Sequence, residues 1–214
     1  MLKRYKHILW DWNGTLLNDN WLCVEVLNSL LSQIGKPSLS MEAYQQNFNF
    51  PVIHFYEFLG FKTDADSFKQ LSQSFIAQYE ARWLQECSLH ADVEALLAQL
   101  NSLGISQSIL SAAHEDALHI GTRHFGIQSH FTHLLGTDNI YAEGKIARAS
   151  QWIDSSDLER NEILLIGDTL HDFEVAKAIG VECLLLASGH CDRSRLETTT
   201  TPVVGSISEC LGLL

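Results

Sequence analysis

The chain has 214 residues, of which 46% are hydrophobic and 19% are charged, a composition typical of an ordinary globular protein with a sizeable core. Its 14 basic and 26 acidic residues give a net charge of -12, which disfavours nucleic acid and anionic membranes as partners. The five cysteines are scattered and odd in number, and no apolar run approaches the length of a signal peptide or membrane span. We therefore expect a cytoplasmic protein with reduced thiols.

Short apolar runs alternate with helical patterns along the chain. The first run is His7 to Trp10, and later runs cover residues 105–110, 131–135, 162–166, 181–187 and 202–204. Continuous apolar runs of this length are typical of strands that are covered on both faces. Helical segments lie between them, such as 92–103, which ends at a glycine. The alternation predicts an α/β fold with a doubly wound, parallel-sheet, Rossmann-like core.

The gap between the first two apolar runs is far longer than a crossover helix needs. Residues 18–34 and 66–86 carry apolar side chains at helical spacing, and residues 47–51 form a turn-like break between them. We predict that residues 17–87 form an α-helical cap domain inserted after the first strand. Residues 1–16 and 88–214 would then form the α/β catalytic core.

Four polar stretches are placed close to the ends of predicted strands. Asp11 to Thr15 follow the first strand, Ser111 follows the second, Lys145 comes after the third, and Gly167 to Asp172 follow the fourth. In open α/β sheets, ligands bind beyond the carboxyl ends of the strands. The four stretches are therefore expected to meet at one edge of the sheet.

These residue types suit the handling of a phosphoryl group. A carboxylate such as Asp11 can attack phosphorus and form an aspartyl-phosphate. Asp168 and Asp172, together with Asp11, offer the oxygen ligands that Mg²⁺ prefers, and Mg²⁺ can neutralise the approaching anions. Hydroxyls, backbone N–H groups and the lysine can bind the transferring group. The predicted phosphate-binding residues are Asp11, Gly14, Thr15, Ser111, Ala112 and Lys145.

Each stretch also has a purely structural interpretation. Ser111 alone could cap a helix, Lys145 could be a solvated surface residue, Asp168 could start a turn, and Asp172 could cap the helix that follows. Taken together, and in this order along the chain, they favour a phosphate-handling site.

The motifs resemble those of the haloacid dehalogenase superfamily of aspartate-nucleophile hydrolases, nearest to its phosphoglycolate-phosphatase-like branch with a helical cap. That resemblance covers nearly the whole chain, and it implies a Mg²⁺-dependent phosphatase acting on a small phosphorylated metabolite. It implies that Asp11 is the nucleophile, and that Asp11, Asp168 and the backbone carbonyl of Asn13 hold Mg²⁺ with help from Asp172. The implied catalytic set is Asp11, Asn13, Thr15, Ser111 and Lys145.

Asn13 departs from the family's D-x-D-G-T motif. The second aspartate of that motif protonates the leaving oxygen and then activates water, and an amide can do neither. Loss of a general acid/base typically slows a reaction by about 10²–10⁴-fold. We expect a slow phosphatase, or one that favours good leaving groups such as those of acyl or aryl phosphates. On the sequence alone, Asn13→Asp is expected to raise hydrolysis of alkyl phosphates at least about tenfold.

Two alternative functions remain open at this point. Asn13 favours a catalytically weak protein that binds phosphorylated ligands without useful turnover. The cap lysines Lys36, Lys62 and Lys69 would permit a phosphonatase-like hydrolase that acts through a Schiff base, although none has the apolar setting that lowers a lysine pKa.

Two groups of residues could complete the site. His114 and His171 lie near the predicted site and could replace the missing acid/base, but exposed loop histidines are the more typical outcome. A polar-aromatic patch around Pro51 could frame the ligand or form a packing seam between cap helices. Its members are Asn47, Asn49, Phe50, His54, Phe55 and Tyr56.

Overall fold

A six-stranded parallel sheet lies at the centre of the protein, in a computed structural model that describes residues 1–137 and 144–214. The strands are β1 (His7–Trp10), β2 (Leu17–Asn18), β3 (Ser88–Leu89), β4 (Ser106–His114), β5 (His133–Thr137), β6 (Ile163–Gly167), β7 (Glu182–Leu186) and β8 (Val203–Val204). The sheet order is β5-β4-β1-β6-β7-β8, and every neighbouring pair is parallel. The predicted doubly wound α/β core is therefore confirmed.

Helices cover both faces of this sheet because successive side chains of a strand point to opposite faces. The helices are α1 (Asn20–Gln33), α2 (Met41–Asn47), α3 (Val52–Phe58), α4 (Ala65–Glu80), α5 (Trp83–Glu86), α6 (Val93–Ser102), α7 (Glu115–His124), α8 (Lys145–Asp154), α9 (Leu170–Ile179), α10 (Arg193–Leu196) and α11 (Ile207–Leu211). Ile8 and Trp10 of β1 belong to one core with Leu96 of α6, whereas Leu9 belongs to a second core with Val175 of α9. Each such side chain contributes roughly 1.5–3 kcal/mol when it is fully buried.

Helices α1 to α5 occupy the chain between β1 and β4, and α1 to α4 share a third core, which includes Leu27, Tyr44 and Phe55. Strands β2 and β3 pair antiparallel, with Leu17 opposite Leu89, so the chain enters and leaves this helical region at adjacent points. This arrangement suits an inserted helical unit. The division into a catalytic core and a cap domain stays a prediction.

Two predicted elements differ from the structure. Strand β4 runs on to His114, so Ser111 lies inside a strand instead of after it, in a stretch where the pairing with β5 shifts register. The small residues at 111–113 gave no apolar signal for this extension. The predicted helix 66–86 is divided into α4 and α5, because Arg82 leaves the helical conformation and Trp83 turns into the main core.

All five cysteines are buried and free of disulfide bonds. Within residues 1–137 and 144–214, none of the helices combines the length and the apolar character that crossing a membrane requires.

His7 lies at the end of β1 far from the predicted site. Its Nδ1 is 2.6 Å from the Oγ of Ser106, its ring centroid is 4.6 Å from that of Trp152, and its buried Nε2 has no hydrogen-bond partner among the described residues. Burial, with a smaller contribution from His133, lowers the pKa of His7 from 6.5 to about 4. The folded state therefore binds fewer protons than the unfolded state between these two pH values.

This pKa shift predicts acid destabilisation that belongs to His7. The stabilising effect of the neutral ring is complete above pH 6.5 and is lost as the pH falls towards 4. Between pH 6.5 and 4.5, the free energy of unfolding should fall about 2–3 kcal/mol more in the natural protein than in His7→Asn. Urea titrations at several pH values measure this difference, and identical pH slopes in the two proteins would contradict it.

Candidate active site

Two acidic residues stand at the point where the strand connections change direction. Asp11 follows β1, whose chain continues towards β4 on one side, and Asp168 follows β6, whose chain continues towards β7 on the other. The backbone N–H of Asp11 donates to the carbonyl of Ile166 at 2.8 Å and so extends the pairing of the two strands. Ligands of doubly wound sheets bind at such a switch point.

Lys145, the first residue of α8, brings the separate motifs together. Its Nζ lies 2.6 Å from Oδ1 of Asp11 and 2.6 Å from Oδ1 of Asp172, and its side chain is only 3% exposed. Charge-assisted hydrogen bonds this short are the strong class of hydrogen bond. Lys145 is thus a buried bridge and not a solvated surface residue.

Asp172 serves the fold and the site at once. Its Oδ2 accepts hydrogen bonds from the backbone N–H and the hydroxyl of Thr169, at 3.0 and 2.7 Å, in the capping box that starts α9. Its Oδ1 remains for Lys145. Gly167 permits this approach, since a Cβ there would lie 2.2 Å from Cγ of Asp172. The capping interpretation of Asp172 is correct, and it does not exclude a role in the site.

Asp168 is held from both sides. The hydroxyl of Thr15 donates to its Oδ1 at 2.6 Å, and the backbone N–H of His190 donates to its Oδ2 at 2.6 Å. Thr15 is fully buried. Its hydroxyl therefore orients an acidic side chain, whereas the sequence predicted that it would bind phosphate directly. Gly14 lies against the same carboxylate, where a Cβ would come within 2.4 Å of Oδ2.

Ser111 and Ala112 line a cavity of about 280 Å³ that opens over Asp11 and Lys145. The Oγ of Ser111 accepts a hydrogen bond from the backbone N–H of Ala113 at 3.1 Å, which leaves the hydroxyl proton available to a ligand. The structure therefore gathers Asp11, Ser111, Ala112 and Lys145 at one cavity, as the motifs predict. The roles assigned to them stay predictions.

The site carries an excess of negative charge. Burial raises the pKa of Asp11 to about 8 against the attraction of Lys145, and Asp172 and Asp168 add to the rise. Burial likewise raises the pKa of Asp168 to about 6, opposed by His190. Every carboxylate that the described chain buries lies here, and two buried cations oppose the four acids, which leaves two formal negative charges. The acids are Asp11, Asp19, Asp168 and Asp172, and the cations are Lys145 and His190.

This donor set fits a divalent cation. One carboxylate oxygen from each of Asp11, Asp168 and Asp172 can be chosen so that all three lie within 4.8 Å of one another. Hard oxygen ligands at such separations suit the octahedral shell of Mg²⁺, and its two charges would balance the excess. The Asn13 carbonyl stays a predicted further ligand.

Asn13 belongs to a hydrogen-bond network that the sequence did not reveal. Its Nδ2 donates to Oδ2 of Asp19 at 2.7 Å and to the hydroxyl of Tyr79 at 3.0 Å. The Tyr79 hydroxyl itself donates to the same Oδ2 at 2.6 Å, and the backbone N–H of Gly14 donates to Oδ1 of Asp19 at 2.8 Å. A carboxylate only accepts hydrogen bonds, so the amide nitrogen must face Asp19. Both N–H groups of Asn13 are therefore in use.

His190 completes this network. Its Nε2 lies 3.5 Å from Oδ1 of Asp19, and its Nδ1 lies 2.9 Å from the hydroxyl of Tyr44. Burial alone would lower the pKa of His190, but the bond to Asp19 and the nearby acids raise it to about 9. Burial alone would raise the pKa of Asp19, but His190, Tyr79 and Asn13 hold it below its usual value. The two groups therefore form a buried ion pair next to Asn13.

One weak signal for Asp19 existed in the sequence. Aspartate is favoured at a helix N-cap, and Asp19 does occupy the N-cap position of α1. Its side chain makes no capping bond and turns back towards Gly14 and Asn13 instead. Tyr79 and His190 gave no such signal, because their contacts join distant parts of the chain.

The other predicted candidates occupy different places. His114 and His171 both line the cavity, and His171 is half-buried in the first turn of α9 instead of exposed in a loop. The cap lysines are all exposed and lie outside the cavity lining, so the structure gives the Schiff-base alternative no support; they are Lys36, Lys62 and Lys69.

The patch around Pro51 combines the two roles considered for it. Phe50, Phe55 and Tyr56 line the cavity, and the last two also pack in the core of the helical region. Asn47 bonds to the Ala43 carbonyl. The remaining members, Asn49 and His54, are exposed and do not line the cavity.

The model of the family described as "Haloacid dehalogenase-like hydrolase" matches residues 8–186, and the chain belongs to this family. It is 23% identical over 198 residues to the tyrosine-protein kinase PtkA of Mycobacterium tuberculosis, which covers 92% of this chain and 67% of that protein. A structure described as a haloacid dehalogenase-like hydrolase from Bacteroides fragilis has a TM-score of 0.84 at 20% identity and covers 96% of this chain and 99% of that chain. A predicted phosphatase from Clostridium acetobutylicum has a TM-score of 0.82 at 17% identity and covers 96% of both chains. The resemblance that the motifs indicated is confirmed.

The acidic cluster predicts that Mg²⁺ stabilises the fold. At 100 times its dissociation constant, a ligand stabilises the native state by about 2.7 kcal/mol, which should raise Tm by roughly 5–10 °C. Asp168→Asn removes one predicted ligand and should lose most of this rise. Calorimetry with and without MgCl₂, at ionic strength matched with NaCl, measures the shift. A similar Mg²⁺-induced rise in both proteins would argue against the site.

Asp19 changes what is expected of Asn13→Asp. The substitution alone would place a carboxylate where the amide now donates to Asp19, so two buried like charges would meet. We expect it to lower stability by about 2–4 kcal/mol and to give no gain in alkyl phosphate hydrolysis. Asn13→Asp combined with Asp19→Asn keeps one carboxylate and one amide in the pair, and should raise ethyl phosphate hydrolysis at least about tenfold.

The single variant Asp19→Asn is the matched control for this pair, because it removes the carboxylate without supplying an acid/base at position 13. Phosphate release and urea unfolding are measured on all four proteins. A gain from Asn13→Asp alone that equals the gain of the double variant would show that Asp19 does not constrain position 13.

Proposed function

We propose that this protein is a Mg²⁺-dependent phosphatase that hydrolyses a small phosphorylated metabolite through an aspartyl-phosphate on Asp11. The observation that carries the proposal is the Lys145 ammonium, which lies 2.6 Å from both Asp11 and Asp172 beside a cluster of three carboxylates. Membership of a hydrolase family and the cavity above Asp11 support the same conclusion.

In the first half of the reaction, Asp11 displaces the organic group. Lys145 occupies Oδ1, and no described residue donates a hydrogen bond to Oδ2, so Oδ2 is the attacking oxygen. The new bond joins Oδ2 to phosphorus as the bond from phosphorus to the organic oxygen breaks. The Ser111 hydroxyl and Lys145 bind the phosphoryl oxygens, and Mg²⁺ held by Asp11, Asp168 and Asp172 would neutralise their charge.

In the second half, water attacks phosphorus and the bond to Asp11 Oδ2 breaks. Inorganic phosphate leaves and the carboxylate is restored. The departed oxyanion takes a proton from solvent and the attacking water gives one up, so one water is consumed for each ester cleaved. Asn13 can offer a ligand only its Oδ1, because both of its N–H groups are engaged. It can orient a water molecule as an acceptor, but it can neither supply nor remove a proton.

A second candidate function follows from the same amide. The site could bind a phosphorylated ligand with little turnover, since the Asn13 amide can neither protonate a leaving oxygen nor remove a proton from water. Under this alternative, vanadate would bind and raise Tm in the presence of Mg²⁺, while no ester would release phosphate beyond the background rate.

We also propose a cytoplasmic location. The five cysteines remain free thiols in the fold, and burial raises the pKa of the Cys191 thiol to about 11. Unpaired buried thiols are typical of a reducing compartment.

Asp11→Asn tests the nucleophile. The natural protein should release phosphate from 4-nitrophenyl phosphate only with Mg²⁺, and the variant should lose at least about 10³-fold in kcat because an amide cannot form the acyl-phosphate. Circular dichroism confirms that the variant is folded. Retention of more than about a tenth of the rate in Asp11→Asn would exclude Asp11 as the nucleophile.

A further inference from the structure

The cavity over Asp11 is lined by two chemically different parts of the chain. The catalytic side carries Asp11, Ser111 and Lys145, the groups that would hold a phosphoryl group. The helical region contributes aromatic rings, among them Phe48, Phe50, Phe55, Phe75 and Tyr79. A ligand bound by its phosphoryl group therefore extends into an aromatic chamber.

Two of the tyrosine hydroxyls in this lining have partners already. The hydroxyl of Tyr79 donates to Asp19, and the hydroxyl of Tyr44 bonds to His190. Phe48 and Phe50 pack on each other with centroids 5.4 Å apart, and Phe50 packs on His171 at 4.9 Å. The aromatic part of the cavity therefore offers mainly ring faces and edges, which favour an apolar or aromatic body.

The charge of the lining further restricts the organic part of the ligand. Lys145 is the only lysine or arginine that lines the cavity within the described part of the chain, and its ammonium is bonded to Asp11. His190, a second cation in the lining, is already paired with Asp19, and the exposed carboxylate of Glu80 also lines the cavity. A second phosphate or a carboxylate on the ligand would therefore lose water without gaining a cation partner.

The chemistry at Asn13 selects the leaving group. Both of its N–H groups are taken by Asp19 and Tyr79, so the departing oxygen leaves without a proton from this position. A phenol has a pKa of about 10, whereas an ordinary alcohol is closer to water at about 16. An aryloxide leaves far more readily than an alkoxide under this constraint.

The size of the cavity fits one ring. A cavity of about 150 Å³ is enough to hold benzene, and this one measures about 280 Å³. We propose that the substrate is an aryl phosphate, in which one uncharged aromatic ring carries the phosphoryl group on its phenolic oxygen. This inference rests on the proposed phosphatase function, and it identifies the substrate class.

Four substrates separate the effect of the ring on KM from the effect of the leaving group on kcat. Phenyl phosphate has a ring and a good leaving group, benzyl phosphate a ring and a poor one, acetyl phosphate a good leaving group without a ring, and ethyl phosphate neither. With Mg²⁺ present, we expect KM to be at least about tenfold lower for the two ring compounds. We expect kcat to be about 10²-fold or more higher for the two good leaving groups. Addition of a para-carboxylate to phenyl phosphate should raise KM at least about tenfold.

Paired variants test the ring contact. Phe50→Ala should raise KM for phenyl phosphate about five- to tenfold and change KM for acetyl phosphate less than twofold. Phe58 lies on α3 but outside the cavity lining and is 59% exposed, so Phe58→Ala is the matched control and should change neither value.

The outcomes distinguish this inference from the function on which it rests. Mg²⁺-dependent phosphate release without a ring preference, or an equal effect of Phe50→Ala on phenyl and acetyl phosphate, overturns the aryl substrate and leaves the phosphatase intact. No Mg²⁺-dependent release from any of the four esters overturns both.

Discussion

The buried ammonium of Lys145 is the interaction on which the site depends. It joins the residue after β1 to the first turn of α9, and it is the only lysine or arginine that the described chain buries. Burying an ion costs several kcal/mol unless its partners are well placed. Here Asp11 and Asp172 are fixed by the sheet pairing and by a helix cap, so the geometry that offsets this cost exists before any ligand arrives.

The amide at position 13 is explained by its hydrogen bond to the buried carboxylate of Asp19. A buried carboxylate needs donors on every side, and Asn13 supplies one where an aspartate would supply repulsion. Tyr79, the Gly14 N–H and His190 supply the rest. The departure from the family motif is therefore part of a satisfied network and not an isolated loss. Networks of this kind fix one arrangement because each member would be costly to leave unpaired.

Sequence patterns predicted the sheet well because burial on both faces produces continuous apolar runs; β1 was placed at its observed residues, His7–Trp10. They also predicted that Asp11, Lys145 and Asp168 lie at one sheet edge, since the carboxyl ends of parallel strands meet at the same edge. They missed the end of β4, whose last residues are small and polar. They could not find Tyr79 or His190, because a contact across 60 or more positions leaves no local pattern.

Tyr79 links the chemistry at Asn13 to the helices that form the aromatic part of the cavity. Its hydroxyl accepts a hydrogen bond from the Asn13 amide, and its ring, on α4, lines the aromatic part of the cavity. A shift of α4 away from the sheet would break the bonds to Asn13 and Asp19 together. The amide would then be free to donate to another oxygen, although a buried carboxylate would lose a donor at the same moment. The position of α4 and the hydrogen bonds that Asn13 can offer are therefore coupled.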